Sequence, residues 1–143
     1  MQFIYPATLT PDPTGGFVVT FRDWPEAITQ GDSLAEALLE AADCLEEAVA
    51  ARIDDRGEIP ASSARLPDEH PVAVPIQTAL KAALFLATRE TGVGPTELAR
   101  RLGINEKEAR RLLDPRHASK AATLERALLA MGRRLAIEVE KAA

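Results

Sequence analysis

The stretch Gly15-Gly16-Phe17-Val18-Val19-Thr20-Phe21-Arg22-Asp23-Trp24-Pro25-Glu26-Ala27-Ile28-Thr29-Gln30-Gly31-Asp32-Ser33-Leu34-Ala35-Glu36-Ala37 decides how the first half of this chain folds. Residues 17–21 are β-branched and aromatic, Asp23-Trp24-Pro25-Glu26 is a turn, and residues 27–30 are a second short β-prone run ended by Gly31. Ser33-Leu34-Ala35-Glu36 then opens a helix, because the Ser33 hydroxyl can accept from the Glu36 N–H while the Glu36 carboxylate reaches back to the cap. Upstream, residues 3–9 alternate loosely between apolar and polar. The break Thr10-Pro11-Asp12-Pro13-Thr14-Gly15-Gly16 separates them from residues 17–21, which predicts a hairpin.

Working outward, Leu34, Leu38, Ala41, Leu45, Ala48, Val49 and Ile53 recur at spacings of three and four, giving one apolar helical stripe. Glu36, Glu40, Asp43, Glu46 and Glu47 lie on the opposite face. The helix is expected to end between residues 54 and 57, with Gly57 in the left-handed conformation. Pro60, Pro67, Pro71 and Pro75 then mark a proline-rich linker, within which Pro71-Val72-Ala73-Val74-Pro75 can add an edge strand. The order is β-β-β-α-β.

The second half is helical in pattern and of opposite charge. Residues 1–75 hold 4 Lys and Arg against 14 Asp and Glu, a net −10, while residues 76–143 hold 13 against 8, a net +5, inside an overall −5. We therefore divide the chain into an acidic unit, 1–75, and a basic helical unit, 76–143. Thr96-Glu97-Leu98-Ala99-Arg100-Arg101-Leu102-Gly103-Ile104-Asn105-Glu106-Lys107-Glu108-Ala109-Arg110-Arg111-Leu112-Leu113 carries its most specific signal. Two short helices crossing steeply need a small residue at the approach, a glycine at the turn and apolar inner faces. Ala99, Gly103, and the set Leu98, Leu102, Ile104, Ala109 and Leu112 supply these, and the spacing resembles repressor-type helix-turn-helix domains. In that arrangement Asn105, Glu106, Lys107, Arg110 and Arg111 would reach base edges in the major groove, and Arg100, Arg101, Arg116, His117 and Lys120 would meet phosphates. The plainer reading is a helical hairpin with a solvated charged face.

A further helix is expected over residues 121–131. Arg134-Leu135-Ala136-Ile137-Glu138-Val139-Glu140 alternates with period two and predicts a strand with Leu135, Ile137 and Val139 on one face. An apolar strand edge needs cover, so this segment is expected to pair with a second copy in a homodimer, or in a tetramer.

Residues 5–7 and 15–37, with Thr29-Gln30-Gly31-Asp32 entering the Ala- and Leu-rich helix, resemble the HicB antitoxins of bacterial toxin–antitoxin pairs. The helical half resembles the helix-turn-helix version of that family. The resemblance implies an α+β protein: a partial RNase H-like β-β-β-α-β domain, then an all-helical helix-turn-helix domain with a C-terminal strand. It also implies neutralisation of a HicA-type, mRNA-cleaving toxin by direct binding, and dimeric binding to operator DNA. On that implication the toxin-facing candidates are Tyr5, Asp23, Trp24, Glu26, Glu40, Asp43 and Glu47. From the residues alone Trp24 reads equally as an interface anchor or a core residue, and the acidic face equally as ordinary solubility.

A stand-alone regulator whose first domain senses another ligand is the alternative. Catalysis is not expected. An RNase H-like nuclease needs converging carboxylates holding two metal ions about 4 Å apart, and the first strand has none. His70 and His117 lack an acid or nucleophile at triad or zinc spacing. No metal or cofactor is implied. A single cysteine, Cys44, fits a reducing cytoplasm, the N-terminus does not read as a secretory signal, and no run approaches the roughly 18 apolar residues of a membrane helix.

Overall fold

Asp12 turns the chain first: its carboxylate accepts from the Thr14 amide and hydroxyl at 2.8 and 2.6 Å, and Gly15 and Gly16 follow with φ of 106° and 75°. In this computed structural model, which describes residues 1–142, that turn joins β1 (Ile4–Pro11) to β2 (Phe17–Phe21). The strands pair antiparallel with Ala7 opposite Phe21 and Pro11 opposite Phe17. β3 (Ile28–Gly31) joins the free edge of β2, and β4 (His70–Ala73) joins the free edge of β1. The sheet is antiparallel throughout, in the order β3-β2-β1-β4.

α1 (Leu34–Asp54) packs on this sheet. Ser33 caps it as expected, its Oγ accepting from the Glu36 amide at 3.1 Å, whereas Glu36 reaches one residue further back, to the Asp32 amide at 3.0 Å. Ala37, Ala41, Leu45, Ala48, Val49 and Ile53 are buried with Tyr5, Ala7, Val19 and Phe21 in one core. Leu34 lies at the rim, 45% exposed. The helix does not close on Gly57: Arg56 takes the left-handed conformation, φ 54°, and the Gly57 amide donates to the Arg52 carbonyl at 2.7 Å. Arg52, in the last turn of α1, pairs with Glu26 of the turn between β2 and β3.

The proline-rich segment is held against the sheet as a strap. Ile59 is buried, the Tyr5 hydroxyl donates to the Pro60 carbonyl at 2.7 Å, and Ser62 donates to the Ile4 carbonyl. Asp23 accepts from both the amide and the hydroxyl of Ser63. Arg22 grips Glu69 through two bonds of 2.9 and 3.0 Å and holds that carboxyl below its ordinary range.

Four helices follow: α2 (Ile76–Thr91), α3 (Pro95–Leu102), α4 (Glu106–Leu113) and α5 (Ala121–Ala130). Leu80, Leu84 and Ala87 of α2, Val93, Leu98 of α3, Leu112 of α4, and Leu124, Ala127 and Leu128 of α5 form a second core. α2 also sends Ala79 and Ala82 into the first. The period-two segment at 134–140 is not a strand in this chain: residues 133–142 have no regular secondary structure. Leu135 packs partly on the second core, while Ile137 and Val139 are 74% and 92% exposed. A strand needs a ladder partner for its N–H and C=O groups, and the four-stranded sheet belongs to the other core. Residue 143, the end of the second unit expected from the sequence, lies outside the described residues.

Two outcomes follow. A β-carbon at Gly31 would come within 2.4 Å of the Ala37 amide nitrogen and 2.6 Å of its Cα, so Gly31→Ala should cost about 3 kcal/mol in urea unfolding, at the upper end for overpacking. The lowered Glu69 carboxyl contributes stability that is complete above its unfolded value near 4.5 and is lost as pH falls through the lower folded value. Below pH 4.5 the urea midpoint of Glu69→Gln should therefore fall less steeply than that of the unaltered chain.

Candidate functional site

Pro95 starts α3, where its missing N–H is no loss. Gly103, φ 67°, ends α3 and reverses the chain, and Asn105 caps α4, its Oδ1 accepting from the Glu108 amide at 2.8 Å. Its Nδ2 donates to Glu108 Oε1 at 3.2 Å, so both amide atoms serve the helix itself. Leu98, Ala99, Ala109 and Leu112 are buried on the inner faces, as their spacing predicts.

The basic residues of this unit divide into two groups. Glu97 binds Arg100, through Nε at 2.8 Å, and Arg101, at 3.0 Å, and the two guanidiniums pull its carboxyl down to about 2. Glu106 binds Arg110 at 2.5 Å. Arg116 leaves the unit altogether and pairs with Glu47 at 2.8 Å and Asp54 at 2.9 Å on α1. Lys107, Arg111, His117 and Lys120 are exposed and have no side-chain partner among the described residues. Exposed pairs of this kind are weak and screened by solvent, and a charge-assisted bond to a phosphate competes well with them, so pairing leaves these arginines exchangeable.

The candidates for a protein partner are less uniform. Tyr5 and Trp24 are wholly buried, which corrects the placing of Tyr5 among the toxin-facing candidates and, of the two readings open for Trp24, favours the core residue over the interface anchor. They meet edge-to-face, centroids 5.4 Å apart, with the Arg52 guanidinium 4.3 Å above the indole. Burial, with Asp23 nearby, pushes the Tyr5 hydroxyl up to about 12. Asp23 is bound to Ser63 and Glu26 to Arg52, so both brace the strap and the turn. Glu40, Asp43 and Glu47 remain exposed on the outer face of α1, and Glu47 shares Arg116.

Two positions carry structure that the sequence reading did not assign. Gln77 and Lys81, one turn apart on α2, hold the loop after α4: Gln77 exchanges two bonds with the Ser119 backbone, and Lys81 donates to the Arg111 carbonyl. A lone cation on the apolar side of an Ala- and Leu-rich helix, three residues before Leu84, was the available signal. Beside α4, the end of α1, α2 and the start of α3 enclose a cleft of about 770 Å³ with Phe85, Val93 and Leu113 in its walls. Arg89 spans it to the carbonyls of Arg56 and Gly57.

Comparison with known proteins gives the family. The family described as "HicB_like antitoxin of bacterial toxin-antitoxin system" matches residues 4–83. "Antitoxin HicB" of Escherichia coli (strain K12) is 39% identical over 133 residues, covering 93% of this chain and 96% of that protein. "Antitoxin HicB" of Pseudomonas fluorescens (strain Pf0-1) is 38% identical over 143 residues, 99% of this chain and 97% of that one. A chain of the solved "Toxin-Antitoxin complex from Streptococcus pneumoniae" aligns with a TM-score of 0.45 at 21% identity, over 77% of this chain and 95% of that chain. The protein is of the antitoxin class of bacterial toxin–antitoxin systems. Within that class the chain belongs to the HicB-like antitoxin family.

The Glu97 carboxylate should titrate in a carbon-detected NMR experiment with a midpoint near pH 2. In the Arg100→Ala, Arg101→Ala double variant that midpoint should return towards the ordinary glutamate value; an unmoved midpoint would mean the pairs do not form in solution.

Proposed function

We propose that this antitoxin neutralises a small HicA-type, mRNA-cleaving toxin by direct binding and represses its own operon by binding operator DNA. The observation that carries this reading is the separation of unpaired charge on the surface. Among the described residues, Glu40 and Asp43 on α1 have no ion-pair partner, and neither do Lys107, Arg111 and Lys120 on and after α4. A toxin that grips RNA must be basic where it does so, and an acidic helix face complements it and speeds encounter. Operator phosphates demand the reverse sign. Among the described residues no helix is long and apolar enough to cross a membrane. Both events are assigned to the cytoplasm as part of this proposal.

In this reading residues 1–75 are the toxin-binding unit, a partial RNase H-like fold, and residues 76–143 are the helix-turn-helix unit. α4 is the recognition helix, with Asn105, Glu106, Lys107, Arg110 and Arg111 towards the bases. Arg100, Arg101, Arg116, His117 and Lys120 face phosphates. Of the toxin-facing candidates, Glu40, Asp43 and Glu47 form the contact surface. The chain itself has no catalytic role. Leu135, Ile137 and Val139 become the dimer seam when a second copy supplies the ladder that the single chain lacks, an assignment supported by the exposure of Ile137 and Val139. Two recognition helices would then be presented roughly 34 Å apart.

Replacing Arg110 and Arg111 together by alanine should weaken binding to a duplex from upstream of the gene by about 1–3 kcal/mol per lost base contact, with toxin binding unchanged. Glu40→Lys with Asp43→Lys should do the opposite, slowing toxin association about tenfold at low salt and leaving the duplex affinity intact. Unchanged duplex binding by the arginine variant removes α4 as the recognition helix.

A further inference from the structure

Lys81 is the most deeply buried charge in the described residues, 1% exposed, in a helix whose other buried positions are Ala and Leu apart from Thr78. Burying an ammonium group costs several kcal/mol unless its protons are accepted, and here two are. Nζ donates to the Arg111 carbonyl at 2.8 Å and to Ser119 Oγ at 2.8 Å. The Arg111 carbonyl lies in the last turn of α4, at the negative end of that helix's dipole, so the contact is charge against dipole as well as a hydrogen bond. One turn earlier Gln77 Nε2 donates to the Ser119 carbonyl at 2.6 Å, and the Ser119 amide donates back to Gln77 Oε1 at 3.1 Å. α2 therefore holds the end of α4 and the 114–120 loop at two points.

We infer that Lys81 is a positioning residue for DNA recognition, fixing the last turn of α4 and the 114–120 loop so that Arg111, His117 and Lys120 share one surface. This rests on the operator-binding reading above. The burial of a lysine where a leucine would be cheaper to fold is explained by it, since an apolar side chain would leave the last turn of an eight-residue helix free to fray. Asp114, at the C-cap of α4, is the charged group whose field reaches Nζ; its other neighbours, the Arg111 carbonyl and the Ser119 hydroxyl, are dipoles. Burial lowers the ammonium to about 8. Because its folded value lies below its unfolded one, deprotonation between about pH 8 and 10.5 favours the folded chain. The same deprotonation removes the charge that holds α4, so global stability and duplex affinity should move in opposite directions over that window.

The test compares the full chain with Lys81→Met by fluorescence anisotropy on a duplex from upstream of the gene, by hydrogen exchange and by thermal melting. The inference expects duplex binding at least tenfold weaker at pH 7, faster exchange confined to the end of α4 and to residues 114–120, and a melting temperature within a few degrees of the unaltered chain. Between pH 7 and 9.5 the unaltered chain should lose affinity more steeply than the variant. Equal affinity and equal exchange overturn the inference, and so does a broad loss of protection with a much lower melting temperature, which would make Lys81 merely structural. If the unaltered chain does not bind the duplex, the operator-binding reading has failed, and the exchange pattern alone decides whether Lys81 fixes α4.

Discussion

α2 is buried on two sides, and the rest of the molecule is arranged around that constraint. Ala79 and Ala82 close the core beneath the sheet, while Leu80, Leu84 and Ala87 open the core of the helical unit. A helix apolar around so much of its circumference must be covered on both sides, so neither core is complete without it. The position of α4 relative to α1 is consequently set by how each packs on α2, helped by polar ties at the rim. Those ties are long side chains: Arg116 to Glu47 and Asp54, and Arg89 to the carbonyls at 56 and 57.

The two candidate surfaces therefore belong to one body yet meet at few points. Arg116 is the residue common to both, since it sits among the phosphate-facing candidates and is held by an acid of the α1 face. Exposed pairs are weak, so on the proposed reading a competing phosphate or a competing basic partner would each replace one side of this pair. On the proposed reading the same logic would make Glu97 and Glu106 holders of arginines rather than obstacles, Glu97 orienting the two guanidiniums of Arg100 and Arg101 and Glu106 that of Arg110.

The N-terminal fold was largely legible because turn chemistry and periodicity agreed there. Asp12, Gly15 and Gly16 mark the hairpin, Ser33 marks the helix, and the Ala and Leu stripe marks the buried face. The strap was not legible beyond its prolines, since its fixity comes from Tyr5, Arg22 and Asp23, which are tens of residues away in sequence. For the same reason Tyr5 reads as a surface candidate and Trp24 stays open between interface and core: nothing local shows that residues 58–69 and α1 cover them. Arg56 in place of Gly57 is a local miss: Arg56 takes the left-handed conformation and the Gly57 amide returns to the Arg52 carbonyl. The period of residues 134–140 is real, but a strand needs a partner as well as a period. In the candidate site, Gly103, Asn105 and the inner apolar residues were readable from spacing, whereas Lys81 acts through a carbonyl 30 residues away, which spacing does not encode.

The central claim is that toxin and operator engage different faces of a molecule built on one shared helix. Amide chemical-shift mapping of the full chain tests it most directly, with toxin added in one titration and duplex DNA in another. The account predicts that toxin perturbs the outer face of α1 around Glu40, Asp43 and Glu47, that DNA perturbs α3, α4 and the 114–120 loop, and that residue 116 responds in both. Perturbation of α4 by toxin and of α1 by DNA, or of one common surface by both, would contradict it.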